Sequence, residues 1–277
     1  MEQVSDIYIY DLDQNLFNKF KEFIQFNTGI FLSNEKMQLL KGRINKRIRL
    51  LKLRGFEDYY NYLTKNVDEL PNFLNEITTN VTHFYREKSH LDLLTEKILP
   101  ELSKIKNEIH IWSAGCSNGS EPYSINMAIK EYQALYPSKI TAEIYIQATD
   151  ISNKMLKEAI NGIYGQEYVR DLPQDVLLRH FKRGIKTQKG NFKVDDKLKK
   201  NIQFSYFNLL DYFSFDMKFD VIFCKNVMIY FDAETKRNIV NKFLYKLNPG
   251  GYFFVGLSEN CNSIKELNVG SSVYRKL

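Results

Sequence analysis

The 277-residue chain has only three cysteines, Cys116, Cys224 and Cys261, with no CxxC pair and no His/Cys cluster at metal-binding spacing. A disulfide framework and a zinc site are therefore not expected, and a reducing compartment is the simplest setting. No apolar run approaches the roughly 18 residues of a membrane span. The N-terminal MEQVSDIYIYDLDQN is acidic and lacks a basic stretch ahead of an apolar block, so no secretion leader is expected. Six prolines and 13 glycines leave no room for a long disordered linker. Internal repeats are absent as well. The expectation is a soluble cytoplasmic protein without a metal or membrane insertion.

What is there changes character along the chain. Residues 1–88 read as a small helical domain with almost no glycine. Phe17, Phe20, Phe23 and Ile24 recur at helical spacing, as do Met37, Leu40, Ile44, Ile48 and Leu51. Phe56, Tyr59, Tyr60 and Leu63 mark a third helix, and Leu70 to Ile77 a fourth. Residues 89–107 read as a helix joining the halves. From 108 to 277 strands alternate with helices, which implies an α/β domain on a mostly parallel sheet, with a small β-hairpin near 182–200.

The net charge of +6 matters only where it clusters. It does so at Lys41–Arg54, a run of seven basic residues with no acidic one between them. Arg43, Lys46, Arg47 and Arg54 are predicted to share a face. That face is either plainly solvated or a dock for something acidic, a nucleic acid or an acidic protein helix. The polar stretch from Thr78 to Thr82 is odd for a helix interior, since Ser, Thr and Asn compete for backbone bonds there. It reads as a helix end or as a segment leaning over a ligand site.

The chain is organised around residues 108–127, EIHIWSAGCSNGSEPYSINM: a short apolar strand, a glycine turn at Gly115, and a helix start at Glu121-Pro122. In a doubly wound α/β sheet this is the ligand-binding edge. The turn has no GxGxxG and no Lys-Ser/Thr, so neither a dinucleotide fingerprint nor a P-loop is present. An acidic Glu121 in its place suits a nucleoside ligand that is neutral or cationic there. Asp150 ends the second strand, where a ribose diol is gripped in nucleoside-binding folds, or else it caps the next helix. Asn208 and Asn226 also end strands, so these residues should converge in one crevice. S-adenosylmethionine fits that chemistry: a ribose, an adenine and a sulfonium, with no phosphate.

Four stretches, ITTNVTHFYRE, IWSAGCSNGSEPYS, ATDIS, and FDVIFCKNVMIYFD followed by NPGGYFFVGLSEN, together resemble the chemotaxis receptor glutamate methyltransferases, the CheR family. The resemblance covers nearly the whole chain. It implies a Rossmann-like class I methyltransferase sheet behind a helical N-terminal domain. It also implies methyl transfer from S-adenosylmethionine to glutamates on the cytoplasmic helices of chemoreceptors, leaving S-adenosylhomocysteine. By the same resemblance Asn80, Thr82 and Arg86 cover the cofactor, with Glu121 and Asp150 holding its polar groups; Gly115, lacking a Cβ, lets it lie against bare backbone. Asn208, Leu209, Lys225 and Asn226 line the adenine side. Arg86 and Tyr230 are the catalytic candidates, orienting the carboxylate and positioning the attacking oxygen. The basic helix then docks on glutamate-rich receptor helices, recruiting the enzyme, expected to act as a monomer, to membrane receptor arrays. Two departures stand out: Lys225 where the family has Arg, and Ser120-Glu121 where it has two acidic residues. The rivals are a nucleic-acid methyltransferase, a non-catalytic cofactor-binding regulator and, for want of GxGxxG, a weakly supported nicotinamide dehydrogenase. The first would carry Asn/Asp-Pro-Pro-Tyr where this chain has Asn226-Val227-Met228-Ile229.

Overall fold

The computed structural model describes residues 10–277, so most of the N-terminal stretch read for a leader lies outside it. The chain divides into two units between Thr79 and Asn80.

The first unit holds α1 (Gln14–Thr28), α2 (Met37–Leu50), α3 (Phe56–Lys65) and α4 (Leu70–Ile77). Asp13 caps α1 by accepting from the Leu16 amide, and Gly29 ends it in the left-handed region that a Cβ disfavours. The stripes read from the sequence are buried: Phe17, Phe20, Ile24, Leu40, Ile44, Ile48, Tyr59 and Phe73 are each at most 3% exposed. Not all of the basic run is on a surface. Arg47 forms a two-pronged ion pair with Glu69, at 2.8 and 2.6 Å, and Tyr59 donates to the same carboxylate at 2.9 Å. A guanidinium matches a carboxylate in this fork geometry, and the paired charges tolerate burial that neither would alone. Arg54 is not on α2 at all. The helix stops at Leu50 and Lys52 turns left-handed (φ 55°), so Arg54 follows in the loop.

The second unit begins with α5 (Lys88–Leu93), a π-helical turn (Leu94–Ile98) and α6 (Leu99–Leu102). Then come β1 (Glu108–Ala114), α7 (Ser120–Leu135), β2 (Glu143–Asp150) and α8 (Asn153–Asn161). Next are β3 (Ile163–Gly165), α9 (Gln166–Val169), α10 (Gln174–His180), β4 (Phe181–Arg183), β5 (Asn191–Val194) and α11 (Asp196–Lys199). The chain ends with β6 (Ile202–Tyr206), β7 (Phe219–Cys224), α12 (Ala233–Lys246), β8 (Leu247–Val255), β9 (Asn268–Gly270) and β10 (Val273–Arg275). The large sheet has the order β6-β2-β1-β7-β8-β10-β9. Its first five strands are parallel, and β10 is antiparallel to both β8 and β9.

Strand alternation explains both faces. Ile109, Ile111, Ile144, Ile146, Val221 and Phe223 point into one core, while Trp112, Ile222, Phe253 and Val255 point into the other. The first core is closed by Leu91, Leu94, Ile98 and Leu99 of the opening helix, which the sequence placed between the domains at 89–107. That helix buries its stripe within the second unit, whose boundary lies before residue 88. The second core is closed by Ile239, Val240 and Phe243 of α12. Because β7 is covered on both faces, all six of its residues are buried. The expected hairpin is one part of a three-stranded antiparallel sheet, β3-β5-β4. Sequence order reverses between β1 and β7, so the crevice beyond their carboxyl ends is the ligand site of such a sheet.

Candidate functional site

The glycine loop is laid against the end of β2. The Gly115 and Cys116 amides donate to the Thr149 carbonyl at 2.8 and 2.9 Å, while the Trp112 indole donates to the Thr149 hydroxyl at 2.9 Å. Gly115 has φ 78°, and a Cβ built there would stand 2.5 Å from the Val227 Cγ2. The bare backbone is thus required twice, by conformation and by space.

Asp150 secures the same loop from the other side. Its Oδ2 accepts from the Ser117 amide and its Oδ1 from the Ser152 amide, both at 2.8 Å. The cap of α8 is Ser152, whose side chain accepts from Met155, so Asp150 is not the helix cap. Burial pushes its carboxyl up from the ordinary range, opposed by the amides of Ser152 and Ser117. The Ile151 amide is a third donor to it, so of a carboxylate's roughly four acceptor sites about one remains for a ribose hydroxyl.

Asn80, Thr82 and Arg86 belong to the second unit, in an irregular segment rather than a helix end. Phe84 anchors it among Tyr164 and Phe181, ring centroids 4.8 and 5.2 Å away. The Tyr85 amide donates to the Ser124 hydroxyl at 2.9 Å, and the Asn80 carbonyl accepts from the Ser117 hydroxyl at 3.4 Å. The segment therefore runs along the glycine loop and the first turns of α7. The Arg86 guanidinium folds back to donate to the Val81 carbonyl at 2.9 Å.

Glu121 accepts from the Ser113 hydroxyl at 2.7 Å through Oε1. Its Oε2 lies 3.5 Å from the Lys225 ammonium, which is 3.3 Å from Glu87 and donates to the Arg86 carbonyl at 3.2 Å. Lys225 is buried, and its charge is spent on protein groups. Asn226 follows in the left-handed region (φ 60°). Tyr230 ends the short helical turn Met228–Tyr230.

Sequence reasoning gave no role to three residues that hold backbone around this crevice. Glu259, 4% exposed, accepts from the Asn226 and Gly256 amides at 2.7 Å and from the Ile229 amide at 3.1 Å, tying the ends of β7 and β8 together. The signal was its place in NPGGYFFVGLSEN, four residues beyond the end of β8. Glu259→Ala orphans all three donors, and the one whose bond is fully buried, the Gly256 amide, costs about 1–3 kcal/mol. Thermal unfolding should therefore shift down by on the order of 5–10 °C; an unchanged midpoint would refute that role. Lys242 is the second. Its ammonium donates to the carbonyls of Leu209, Leu210 and Asp211 at 3.3, 2.7 and 2.9 Å. Asn208 closes the same turn from within by accepting from Leu210. Glu87 is the third.

In the first unit Arg43 donates to the Ile77 carbonyl and, at 3.1 Å, to the Thr79 hydroxyl. Lys46 pairs with Glu76 at 2.9 Å with its side chain still 65% exposed. Arg47 is the residue this geometry withdraws from any docking surface. Among the described residues no cluster of His, Cys, Asp or Glu could hold a metal ion. None of the helices there is long and apolar enough to cross a membrane.

Residues 80–273 match the family described as "CheR methyltransferase, SAM binding domain", and residues 15–78 match "CheR methyltransferase, all-alpha domain". A chemotaxis protein methyltransferase of Borreliella burgdorferi is 40% identical over 259 residues, spanning 90% of each chain. That of Escherichia coli is 34% identical over 252 residues, spanning 90% of this chain and 85% of its own.

Proposed function

The chain belongs to the CheR methyltransferase family, and from that premise we propose that it methylates glutamate side chains on the cytoplasmic helices of chemoreceptors. It is an S-adenosylmethionine-dependent methyltransferase of chemotaxis. The observation that carries the reading is the site's charge pattern. A buried aspartate ends β2, a glutamate opens α7, and bare backbone at Gly115 lies between them. Such a crevice suits a ribose and a cation, and it lacks the lysine-hydroxyl pair that a pyrophosphate would need.

S-adenosylmethionine, when bound, supplies a methyl group made electrophilic by its sulfonium. Asp150 would hold the ribose, Glu121 the cationic portion and the Asn208-Leu209 turn the adenine, with Asn80 and Thr82 over the top. Lys225 acts on the protein side, through the Arg86 carbonyl and the two glutamates. A glutamate carboxylate ordinarily titrates near pH 4.3, to within about a unit, and is already ionised at neutral pH, so no general base is required. The chain's task is to align the carboxylate and exclude water. Arg86 orients it and the Tyr230 hydroxyl positions the attacking oxygen. Receptor docking falls to the exposed Lys46 and Arg54, with Arg43 at the margin and Arg47 held inside by Glu69. The nucleic-acid rival is not favoured, since Asn226 is followed by Val227-Met228-Ile229 rather than Pro-Pro-Tyr.

The test uses methyl-labelled S-adenosylmethionine and a chemoreceptor cytoplasmic fragment, followed by alkali. Methyl esters hydrolyse in base and release volatile methanol, whereas methylated amines do not. The expected result is alkali-labile label that disappears when the receptor glutamates are changed to glutamine. Alkali-stable transfer, or transfer only to RNA, would overturn the reading.

A further inference from the structure

The connection from β6 to β7 carries the turn assigned to the adenine, and α12 holds that turn from behind. The Phe207 amide donates to the Asp150 carbonyl at 3.0 Å, so the connection leaves β6 beside the aspartate of the crevice. Asn208 then closes the turn. Its carbonyl accepts from the Asp211 amide at 3.0 Å and its side-chain oxygen from the Leu210 amide at 3.1 Å. A trans peptide holds its C=O and N–H on opposite sides. With the amides of Leu210 and Asp211 turned to Asn208, the carbonyls of Leu209 and Leu210 face the other way. There they meet the Lys242 ammonium, at 3.3 and 2.7 Å, together with the Asp211 carbonyl at 2.9 Å.

Carbonyl oxygens brought to one point repel one another unless a cation lies between them. An ammonium has three N–H donors, and Lys242 finds three acceptors for them. It also lies over the Phe213 ring, 5.3 Å from the centroid. Lys246, one helical turn further along α12, is buried and donates to the Phe215 carbonyl. Around these anchors Phe207, Phe213 and Phe215 enclose Trp112, with ring centroids 5.7, 5.2 and 4.8 Å away. One face of α12 thus holds the connection at two places by charge, and the tryptophan holds it by packing.

We propose that Lys242, supported by Lys246, is a positioning residue for cofactor binding: it presets the 208–211 turn in the shape that receives the adenine. The inference rests on the reading that this turn lines the adenine. Lys242 touches no ligand in this scheme and takes no part in methyl transfer. It fixes the peptide planes after Leu209 and Leu210. The Leu210 amide then holds the oxygen of the Asn208 side chain and turns the NH2 away from itself. Without the ammonium the carbonyls go to water, since the Asp211 bond is already exposed, and the turn samples other shapes. The ligand then has to order the turn, which lowers affinity without slowing the bound complex.

Lys242→Met keeps the aliphatic stem and removes the ammonium. Calorimetry on the full chain uses S-adenosylhomocysteine and methylthioadenosine, which have the adenosine in common. Both dissociation constants should rise about 3–10-fold in this variant. KM for S-adenosylmethionine should rise by the same factor, with kcat at saturating cofactor and KM for the receptor fragment within about twofold of the parent. Lys242→Arg keeps the charge and the donors and should recover part of the affinity. Trp112, the only tryptophan of the chain, reports on the connection packed around it. Its emission should change more on ligand addition in Lys242→Met than in the parent, because the ligand then orders the turn. Lys276→Met is the control for a purely structural effect. That ammonium holds the carbonyls of Leu244 and Leu247, at 2.7 and 2.8 Å, and none of the connection. Its loss should lower the melting temperature and leave both dissociation constants as they are. If Lys242→Met does not fold, Lys242→Gln, which keeps two donors, should give the same signs at about 2–4-fold. Unchanged dissociation constants in the Lys242 variants, or equal weakening in Lys276→Met, would show a structural clamp alone and overturn the proposal. Parent-like affinity in Asn208→Ala would instead overturn the adenine reading beneath it, and is told apart because Lys242 is intact there.

Discussion

Arg86→Ala is expected to lower kcat by about 10²-fold or more while leaving the fold intact, because a lost orienting group is felt mainly in the transition state. The backbone at this position is not held by the arginine side chain. Lys225 holds the Arg86 carbonyl, Ser124 holds the Tyr85 amide, and Phe84 is packed between Tyr164 and Phe181. What the substitution removes is a guanidinium whose contact is with the Val81 carbonyl of its own segment. That bond is easily exchanged for a carboxylate, since a charged acceptor offers a stronger partner than a neutral carbonyl. The melting temperature should therefore move by no more than a degree or two, as for a surface change. Arg86→Lys should recover only part of the rate, for it keeps the charge and loses the planar fork. Tyr230→Phe should cost less, with cofactor affinity largely kept. Single-turnover methyl transfer beside calorimetric binding would check all three. Near-normal turnover in Arg86→Ala would remove it from the mechanism.

Sequence patterns made the sheet legible because its information is local. Alternation at Ile109–Trp112 and Ile144–Ile146 sets which residues face which core, and continuous apolarity at Phe219–Cys224 marks a central strand. The loop at Gly115 and the strand-ending Asp150 are equally local, and the structure joins them through Ser117. What stayed hidden depends on partners remote in the chain. Arg47 reads as one more surface charge until Glu69 is found in its fork, and Lys242 as one more helix lysine until three carbonyls converge on it. Glu259 and Glu87 look like solvated loop acids, yet each accepts from the backbone at the end of another strand or its own. Both lie inside the motifs ITTNVTHFYRE and NPGGYFFVGLSEN, but a carboxylate that organises amides leaves no periodicity to reveal its role. The boundary of the helical domain was misplaced for a related reason. Leu91, Leu94 and Ile98 show a good amphipathic stripe, but a stripe does not say which core it enters.

Asp150→Asn should abolish useful cofactor binding, although it changes one atom of a side chain that is small and well packed. Both carboxylate oxygens already accept a backbone N–H at 2.8 Å, from Ser117 on the glycine loop and from Ser152 at the start of α8. An amide cannot reproduce this. Whichever way Asn is turned, its NH2 faces one of the two N–H groups, donor against donor, in a site only 7% exposed. If the oxygen is turned to Ser152, the amide of Ser117 is orphaned and the glycine loop keeps only the Gly115 and Cys116 bonds to Thr149 as its ties to β2. If it is turned to Ser117, the start of α8 is released instead. Either choice costs about 1–3 kcal/mol for the unsatisfied donor. The charge that would receive a ribose hydroxyl is lost as well, so the cofactor dissociation constant should rise by at least about 10²-fold, each tenfold being about 1.4 kcal/mol. Asp150→Ala offers a useful comparison. It loses the acceptor without placing a donor in its position, so it should be no worse than Asn for folding. Wild-type affinity in Asp150→Asn would show that neither the loop nor the ribose depends on this carboxylate. A lowered melting temperature with unchanged affinity would assign it to the loop alone.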